Sequence, residues 1–72
     1  MVAMADLPIT WLVLRLDDAG NAYLVQDRLD ERAAGALVQT LTERGHKQTY
    51  TAYSYAGRGE RDQLLAQLKA IE

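Results

Sequence analysis

The chain contains no cysteine and only one histidine among its 72 residues. Without cysteine it forms no disulfide bond and no thiolate metal site, and one histidine cannot supply a structural zinc site. A domain of this size buries only about 60% of the surface that its unfolded chain exposes, so its folded state is marginally stable. Small domains usually gain stability from disulfides, metals or a second subunit. Because the composition excludes disulfides and a structural zinc site, a second subunit is the source of stability that remains.

The sequence also lacks a long apolar run and a basic N-terminal segment. No apolar stretch approaches the ~20 residues that span a bilayer. The first eight residues, MVAMADLP, contain no lysine or arginine and so do not read as a signal peptide. We therefore expect a soluble, cytoplasmic protein that does not associate with a membrane. Residues 1–8 are predicted to be a flexible leader, and residues 9–72 a single small domain.

An excess of positive charge is missing as well. The net charge is −2 and the isoelectric point is near 5.2. This balance argues weakly against non-specific binding to nucleic acid, although it is compatible with a local basic patch. Apolar residues make up 49% of the chain and charged residues 25%, which is ordinary for a globular domain.

A β-hairpin is the clearest local pattern. The segment Ile9–Leu16, ITWLVLRL, is rich in β-branched, aromatic and leucine residues and has the length of a strand. The residues that follow, DAGN at positions 18–21, are typical of a turn in which Gly20 or Asn21 takes a positive φ. The segment Ala22–Gln26 is then predicted to be the return strand.

Two helical patterns follow. Between Asp27 and Arg44 the apolar residues recur with helical spacing, at Ala34, Leu37, Val38 and Leu41. Either Asp27 or Asp30 can cap the start of this helix, and Gly45 is the expected left-handed stop. Gly35 lies inside it and is interpreted as a tolerated surface glycine rather than a site of close backbone approach. The segment Glu60–Ile71 is predicted to be a second helix with the stripe Leu64, Leu65, Leu68 and Ile71.

The segment His46–Tyr55 between the helices is predicted to be the third strand, because threonine and tyrosine suit a half-buried sheet. The element order is therefore β-β-α-β-α, with a right-handed crossover from the second strand to the third. We expect an α/β (α+β) domain built as a two-layer sandwich. Its three-stranded sheet has the order 2-1-3 and carries both helices on one face.

This arrangement predicts an uncovered apolar surface. The even-numbered positions of the first strand are leucines and face the helices, which leaves Ile9, Trp11 and Val13 on a face without a helix. A contiguous apolar patch usually marks an interface. We expect a homodimer, formed through this open face or through an exposed edge of the third strand; in the alternative, the second helix covers the open face. The candidate interface or ligand-binding residues are Trp11, Val13, Tyr23, Tyr53 and Tyr55.

No motif in the chain points to catalysis. It has no nucleophile elbow, phosphate-binding glycine loop or paired-histidine metal motif. The Gly57-Arg58-Gly59 segment before the second helix can hold an anion, but such a segment is more often a flexible hinge. Asp17 and Asp18 read as turn formers. We therefore expect a protein that is not an enzyme and has no cofactor or metal.

Basic residues lie at both ends of the tyrosine-rich third strand. They are Arg44, Lys47, Arg58 and Arg61. Aromatic rings on a sheet flanked by cations are typical of platforms that bind single-stranded nucleic acid. Tyrosines that pack the sheet, with arginines solvating its ends, are the alternative interpretation.

Residues 22–50, AYLVQDRLDERAAGALVQTLTERGHKQTY, resemble half of a sporulation-related repeat (SPOR) domain. In that family a strand of the type Y-x-V leads into a helix of spaced small and leucine residues, which ends at glycine before another strand. The corresponding residues are Tyr23, Val25, Ala33, Ala34, Leu37, Leu41, Gly45 and His46. The resemblance implies binding to peptidoglycan glycan strands. The strand pattern would place that site on the sheet face with Trp11, Tyr23 and Tyr53.

The sequence therefore predicts a small, non-enzymatic and SPOR-like interaction module that forms a homodimer. Its partner is a protein or a glycan. A module that binds nucleic acid through the aromatic strand and the four basic residues is the second hypothesis.

Overall fold

The computed structural model describes residues 8–44 and 48–71, which form four strands and two helices. The elements in chain order are β1 (Ile9–Leu16), β2 (Ala22–Leu29), α1 (Glu31–Glu43), β3 (Thr49–Ala56), α2 (Gly57–Leu68) and β4 (Ala70–Ile71). The strands form one mixed sheet in the order β3-β1-β2-β4. The α+β class is confirmed, but the predicted count of three strands is wrong.

Strand β1 lies at the centre of the sheet and pairs antiparallel with both β2 and β3. It therefore lies between them as the order 2-1-3 required, but that order omits β4. The second helix was predicted to continue to Ile71, whereas it ends at Leu68 and is followed by Lys69, which takes a left-handed φ of 54°. The two residues after Lys69 leave the helix and pair in parallel with Ala22 and Tyr23.

The predicted hairpin between β1 and β2 is confirmed. The Asp17 carboxylate accepts hydrogen bonds from the backbone N–H groups of Ala19 and Asn21, at 3.0 and 2.9 Å. Gly20 has a φ of 87°, which glycine adopts without strain. The aspartate thus holds the turn by bonding the backbone two and four residues ahead.

Strand β2 extends three residues beyond its predicted end and is bulged twice. Leu14 lies opposite Leu24, Val13 opposite Gln26, and Trp11 opposite Leu29. Between successive pairs, β2 contains one more residue than β1, which is the definition of a β-bulge. The bulges carry the strand through residues 27–29, which were predicted to begin the first helix.

Asp30 caps α1 after this longer strand. Its Oδ1 accepts a hydrogen bond from the N–H of Ala33 at 2.7 Å. Asp27, the other predicted cap, belongs to β2. Gly35 is exposed, and no atom lies within 4 Å of the position that a Cβ would take, so its interpretation as a surface glycine is confirmed.

The two helices cover opposite faces of the sheet. Leu12 and Leu14 are fully buried in a cluster with Leu65, against which Leu64 and Leu68 of α2 also pack. Val13 points to the other face and is fully buried, as is Ala34 of α1, which packs on β1 and β3. The predicted two-layer sandwich is therefore wrong, and the face that was expected to be open lies under α1.

The handedness of the chain crossovers explains this arrangement. Strands β2, β3 and β4 all run in the same direction, since β1 is antiparallel to β2 and β3 and β4 is parallel to β2. The first crossover moves from β2 to the β3 side of the sheet, and the second returns to the far side of β2. Two right-handed crossovers in opposite directions must lie on opposite faces.

Several predicted features lie outside the described residues. They are the leader up to Leu7, and the stretch of Gly45, His46 and Lys47 that was predicted to stop the first helix and start the third strand. Among residues 8–44 and 48–71, neither helix is long and apolar enough to cross a membrane.

Candidate functional site

A cluster of three polar side chains joins β2, β3 and α2 at one end of the sheet. The Tyr55 hydroxyl donates a hydrogen bond to Oδ1 of Asp27 at 2.6 Å. The Nε of Arg61 donates to Oδ2 of Asp27, also at 2.6 Å. The backbone N–H of Arg28 donates to Oδ1 at the same distance. The Asp27 carboxylate is therefore held from three directions.

The local structure places each member of this cluster. Tyr55 is paired with Thr10 and so shares the face of Leu12 and Tyr53. Arg61 precedes Leu64 by three residues and therefore lies on the α2 stripe that packs against this face. Asp27 reaches the same face because it lies at the second bulge, where the regular alternation of β2 is interrupted.

The cluster changes the proton affinities of two of its members. Burial raises the pKa of Asp27, but the hydrogen bonds from Tyr55, Arg61 and Arg28 outweigh it and leave the pKa below its usual value of 3.8. Burial, together with the hydrogen bond to Asp27, raises the pKa of Tyr55 above its usual value of 10.0. At neutral pH the aspartate is thus an anion and the tyrosine a hydrogen-bond donor.

Beside this cluster lies an open cavity of about 630 Å³, which we call the arginine cavity. It is lined by Pro8, Thr10, Asp27, Arg28, Tyr55, Gly57, Arg58 and Arg61. Three arginines and one aspartate give the lining a formal charge of +2, from +3 and −1. Across the described part of the chain, the side chains of Arg28 and Arg58 form no ion pair.

The start of α2 adds to the positive potential of the arginine cavity. Gly57 connects β3 to α2 with a φ of 81°, and Gly57 and Arg58 both line the cavity. The first turn of a helix carries partial positive charge from its N–H groups. The carboxylate of Glu60 accepts from the N–H of Ala56 at 3.0 Å and partly offsets this charge.

The backbone at Arg28 is unusual. Its φ of 60° lies in the left-handed region, which costs a residue with a side chain about 1–2 kcal/mol and which glycine enters freely. Strained backbone in a folded protein is concentrated at functional sites. An arginine at this position brings a guanidinium group to the cavity, which glycine would not.

The structure separates the predicted interface residues. Trp11 and Val13 lie on the α1 side of the sheet, with Val13 fully buried. Tyr23 lies on that side too, where the Arg15 guanidinium sits 4.7 Å from its ring centre. Tyr53 and Tyr55 lie on the opposite, α2 side. The single sheet face with Trp11, Tyr23 and Tyr53 that was expected to bind a glycan therefore does not exist.

The predicted basic set is divided as well. Arg58 and Arg61 line the arginine cavity at the C-terminal end of β3. Arg44 follows α1 and precedes the other end of that strand. Lys47 lies outside the described residues. The rings of Tyr53 and Tyr55 pack against the core, so they do not form a stacking surface between these cations.

Sequence reasoning missed Asp27 and Arg28 as site residues. Both were assigned to a helix start, because an aspartate before a helical pattern is typical of a cap. The bulges that move them onto the cavity follow from pairing with β1, which is not a local property of the sequence.

Comparisons of the chain with protein-family models, curated proteins and solved structures find no match. The described residues also contain no group of three or more histidine, cysteine, aspartate or glutamate side chains placed to hold a metal ion.

Proposed function

We propose that this chain is a small non-enzymatic binding module whose arginine cavity recognises a ligand with a compact anionic group, a phosphate or a carboxylate. The observation that supports this proposal best is the convergence of Arg28, Arg58 and Arg61 on one cavity that holds a single carboxylate. That carboxylate, Asp27, is already hydrogen-bonded by Tyr55 and Arg61.

The chemistry of the lining supports an anionic ligand. Guanidinium groups are planar and donate paired hydrogen bonds that match the oxygens of phosphates and carboxylates. Small-molecule sites in proteins usually have volumes of about 300–1,000 Å³, and the arginine cavity falls within this range. The cluster around Asp27 fixes Arg61, while Arg28 and Arg58 face the cavity from β2 and α2.

Binding without catalysis is the function that this lining favours. It contains no histidine, cysteine or lysine to act as a nucleophile or as a base near neutral pH. Asp27 is a poor general base, because its pKa is lowered and both of its oxygens accept hydrogen bonds.

Titration of the protein with inorganic phosphate and with acetate, followed by amide chemical shifts, tests the proposal. The shifts should localise to residues 27–28 and 57–61, and the affinity should fall as salt is added. Arg58→Ala should weaken binding at least tenfold, which corresponds to about 1.4 kcal/mol. Arg32→Ala removes an exposed α1 arginine and is the matched control. Equal loss in the two variants, or shifts spread over the surface, would contradict the proposal.

Larger ligands distinguish between two biological sources of such an anion. The glycan strands of peptidoglycan, the ligand that the SPOR resemblance implies, carry a carboxylate on each muramic acid residue that bears no peptide. Nucleic acid, the second hypothesis from the sequence, carries phosphodiesters. N-Acetylmuramic acid that binds more tightly than a short single-stranded oligonucleotide identifies the first source, and the reverse ranking identifies the second. In either case Arg58→Ala should reduce the affinity.

A further inference from the structure

The outer side of β3 and the part of β2 that β4 does not cover differ in how they are protected from pairing with another strand. The outer side of β3 pairs with no strand in the described part of the chain. Its sequence, TYTAYSYA, contains no charged residue, proline or glycine. Native edge strands usually carry charges, proline or bulges that block a second strand. Strand β3 has none of these protections.

The regularity of β3 makes its outer side a good template. Its pairing with β1 runs without a bulge from Thr49, opposite Leu16, to Ala56, opposite Ile9. Strand β2 on the other side has two bulges, and Asp27 and Arg28 lie near its exposed end. Only the β3 edge thus offers an unbroken row of backbone donors and acceptors.

We propose that the β3 edge pairs antiparallel with β3 of a second copy of this chain, which joins two four-stranded sheets into one. A two-fold axis perpendicular to the sheet brings identical strands together in antiparallel orientation. Because β3 is uncharged, this pairing places no like charges opposite each other. A domain of 72 residues is expected to be only marginally stable, so pairing with a second copy would stabilise its folded state.

The geometry also fixes which registers are possible. Residues paired directly across the axis point to the same face. One residue of β3 must therefore lie opposite its own copy, with the two-fold axis between them. Registers with Ala52 or Tyr53 on the axis each pair seven of the eight residues of β3, and the register with Ala52 gives more pairs of threonine with tyrosine. The Ala52 register places Thr51 opposite Tyr53 of the partner subunit, and Thr49 opposite Tyr55 of the partner subunit. Cross-strand pairs of aromatic and β-branched residues stabilise a sheet.

Sedimentation equilibrium from micromolar to near-millimolar concentration tests the proposal. The wild-type chain should sediment with twice its monomer mass of 8.0 kDa. Ser54→Lys, at an exposed β3 position, should raise the dissociation constant at least tenfold while the circular dichroism spectrum stays folded. Thr40→Lys, on the exposed side of α1, is the matched control and should remain dimeric. A monomeric wild type throughout, or equal dissociation constants for wild type and Ser54→Lys, would overturn the proposal.

A cysteine placed on the axis tests the register separately. The chain has no cysteine, so Ala52→Cys introduces a single thiol that meets its own copy across the interface. Mild oxidation should yield a covalent dimer, and Thr40→Cys should not. A covalent dimer formed equally by both variants would contradict the proposed pairing.

Discussion

The Tyr55 hydroxyl lies 2.6 Å from Oδ1 of Asp27 and so joins β3 to β2 across the central strand β1. Strands two positions apart are separated by about 9.5 Å, which a tyrosine side chain spans when its partner reaches towards it. The second bulge of β2 gives Asp27 that position. One hydrogen bond thus ties both outer long strands together at the end of the sheet that carries the arginine cavity.

Removing this hydroxyl should destabilise the fold. Tyr55→Phe keeps the buried ring but removes the hydroxyl that donates to Asp27, and we expect the free energy of unfolding to fall by about 1–2 kcal/mol. Urea denaturation measures the change. Tyr50→Phe, on the opposite face of the same strand, is the control and should have a smaller effect. Equal losses for the two variants would mean that the bond to Asp27 contributes nothing.

Acid should destabilise the protein through Asp27. Its pKa is lower in the folded state than in the unfolded chain, so its contribution to stability is present above the unfolded pKa, near 3.8, and is lost as the pH falls through the folded pKa. The stability of Asp27→Asn should therefore change less than that of the wild type between neutral pH and pH values below 3.8. Urea midpoints at several pH values measure this.

Asp18→Asn removes an exposed carboxylate from the turn and controls for the change in net charge. If the stability of Asp27→Asn fell with pH as steeply as that of the wild type, Asp27 would not contribute to the loss of stability in acid. Asp17, whose pKa is lowered chiefly by the N–H of Asn21, accounts for part of the dependence that remains.

Alkali should act on the same cluster through Tyr55. Its pKa is raised in the folded state, so its contribution to stability is complete below the unfolded pKa, near 10.0, and is lost as the pH rises from there through the folded pKa. Tyr55→Phe should be less stable than the wild type at neutral pH, and the difference should shrink above pH 10.0. If the difference in stability between the two proteins stayed constant across this range, ionisation of the Tyr55 hydroxyl would not be linked to folding.

The left-handed backbone of Arg28 allows stability and binding to be separated. In Arg28→Gly the strain of about 1–2 kcal/mol is relieved, which exceeds the added unfolded-state entropy of glycine, about 0.5–1 kcal/mol. We expect the free energy of unfolding to be unchanged or to rise by up to about 1 kcal/mol. Phosphate binding should weaken at least tenfold in the same variant.

Arg32→Gly places glycine at an ordinary helical position and is the contrasting variant. It should destabilise α1 by about 1 kcal/mol and leave the affinity for phosphate unchanged. If Arg28→Gly instead bound phosphate as the wild type does, Arg28 would have no part in the cavity.

The sequence predicted the elements that depend on local chemistry. The turn after β1 and an aspartate cap on α1, left open between Asp27 and Asp30, both follow from residue type and spacing. It missed the features that depend on distant pairing. Lys69 leaves the helical conformation where Ala70 meets Ala22, and no local signal marks this change. Because β4 was not predicted, the second crossover was not predicted either, and both helices were assigned to one face of the sheet.

The candidate site was predicted in part, for the same reason. Arg58 and Arg61 were identified because basic residues at a strand end are visible in the sequence. Their association with Arg28 and Asp27 was not visible, since it requires the register of β2 against β1. The apolar first strand is explained by burial on both faces, under α1 and α2, rather than by an open surface.

Strand β4 also sets an order of assembly. The β1–β2 hairpin closes through a short turn, at little cost in chain entropy. Ala70 instead pairs with Ala22, which is distant from it in the sequence, and only after both crossovers are complete. On the ribosome, the outer side of β2 therefore stays unpaired until Ala70 and Ile71 have emerged. Throughout that interval α2, which packs over Leu12 and Leu14, is connected to the sheet only through β3, and the nascent domain is exposed to chaperones and proteases.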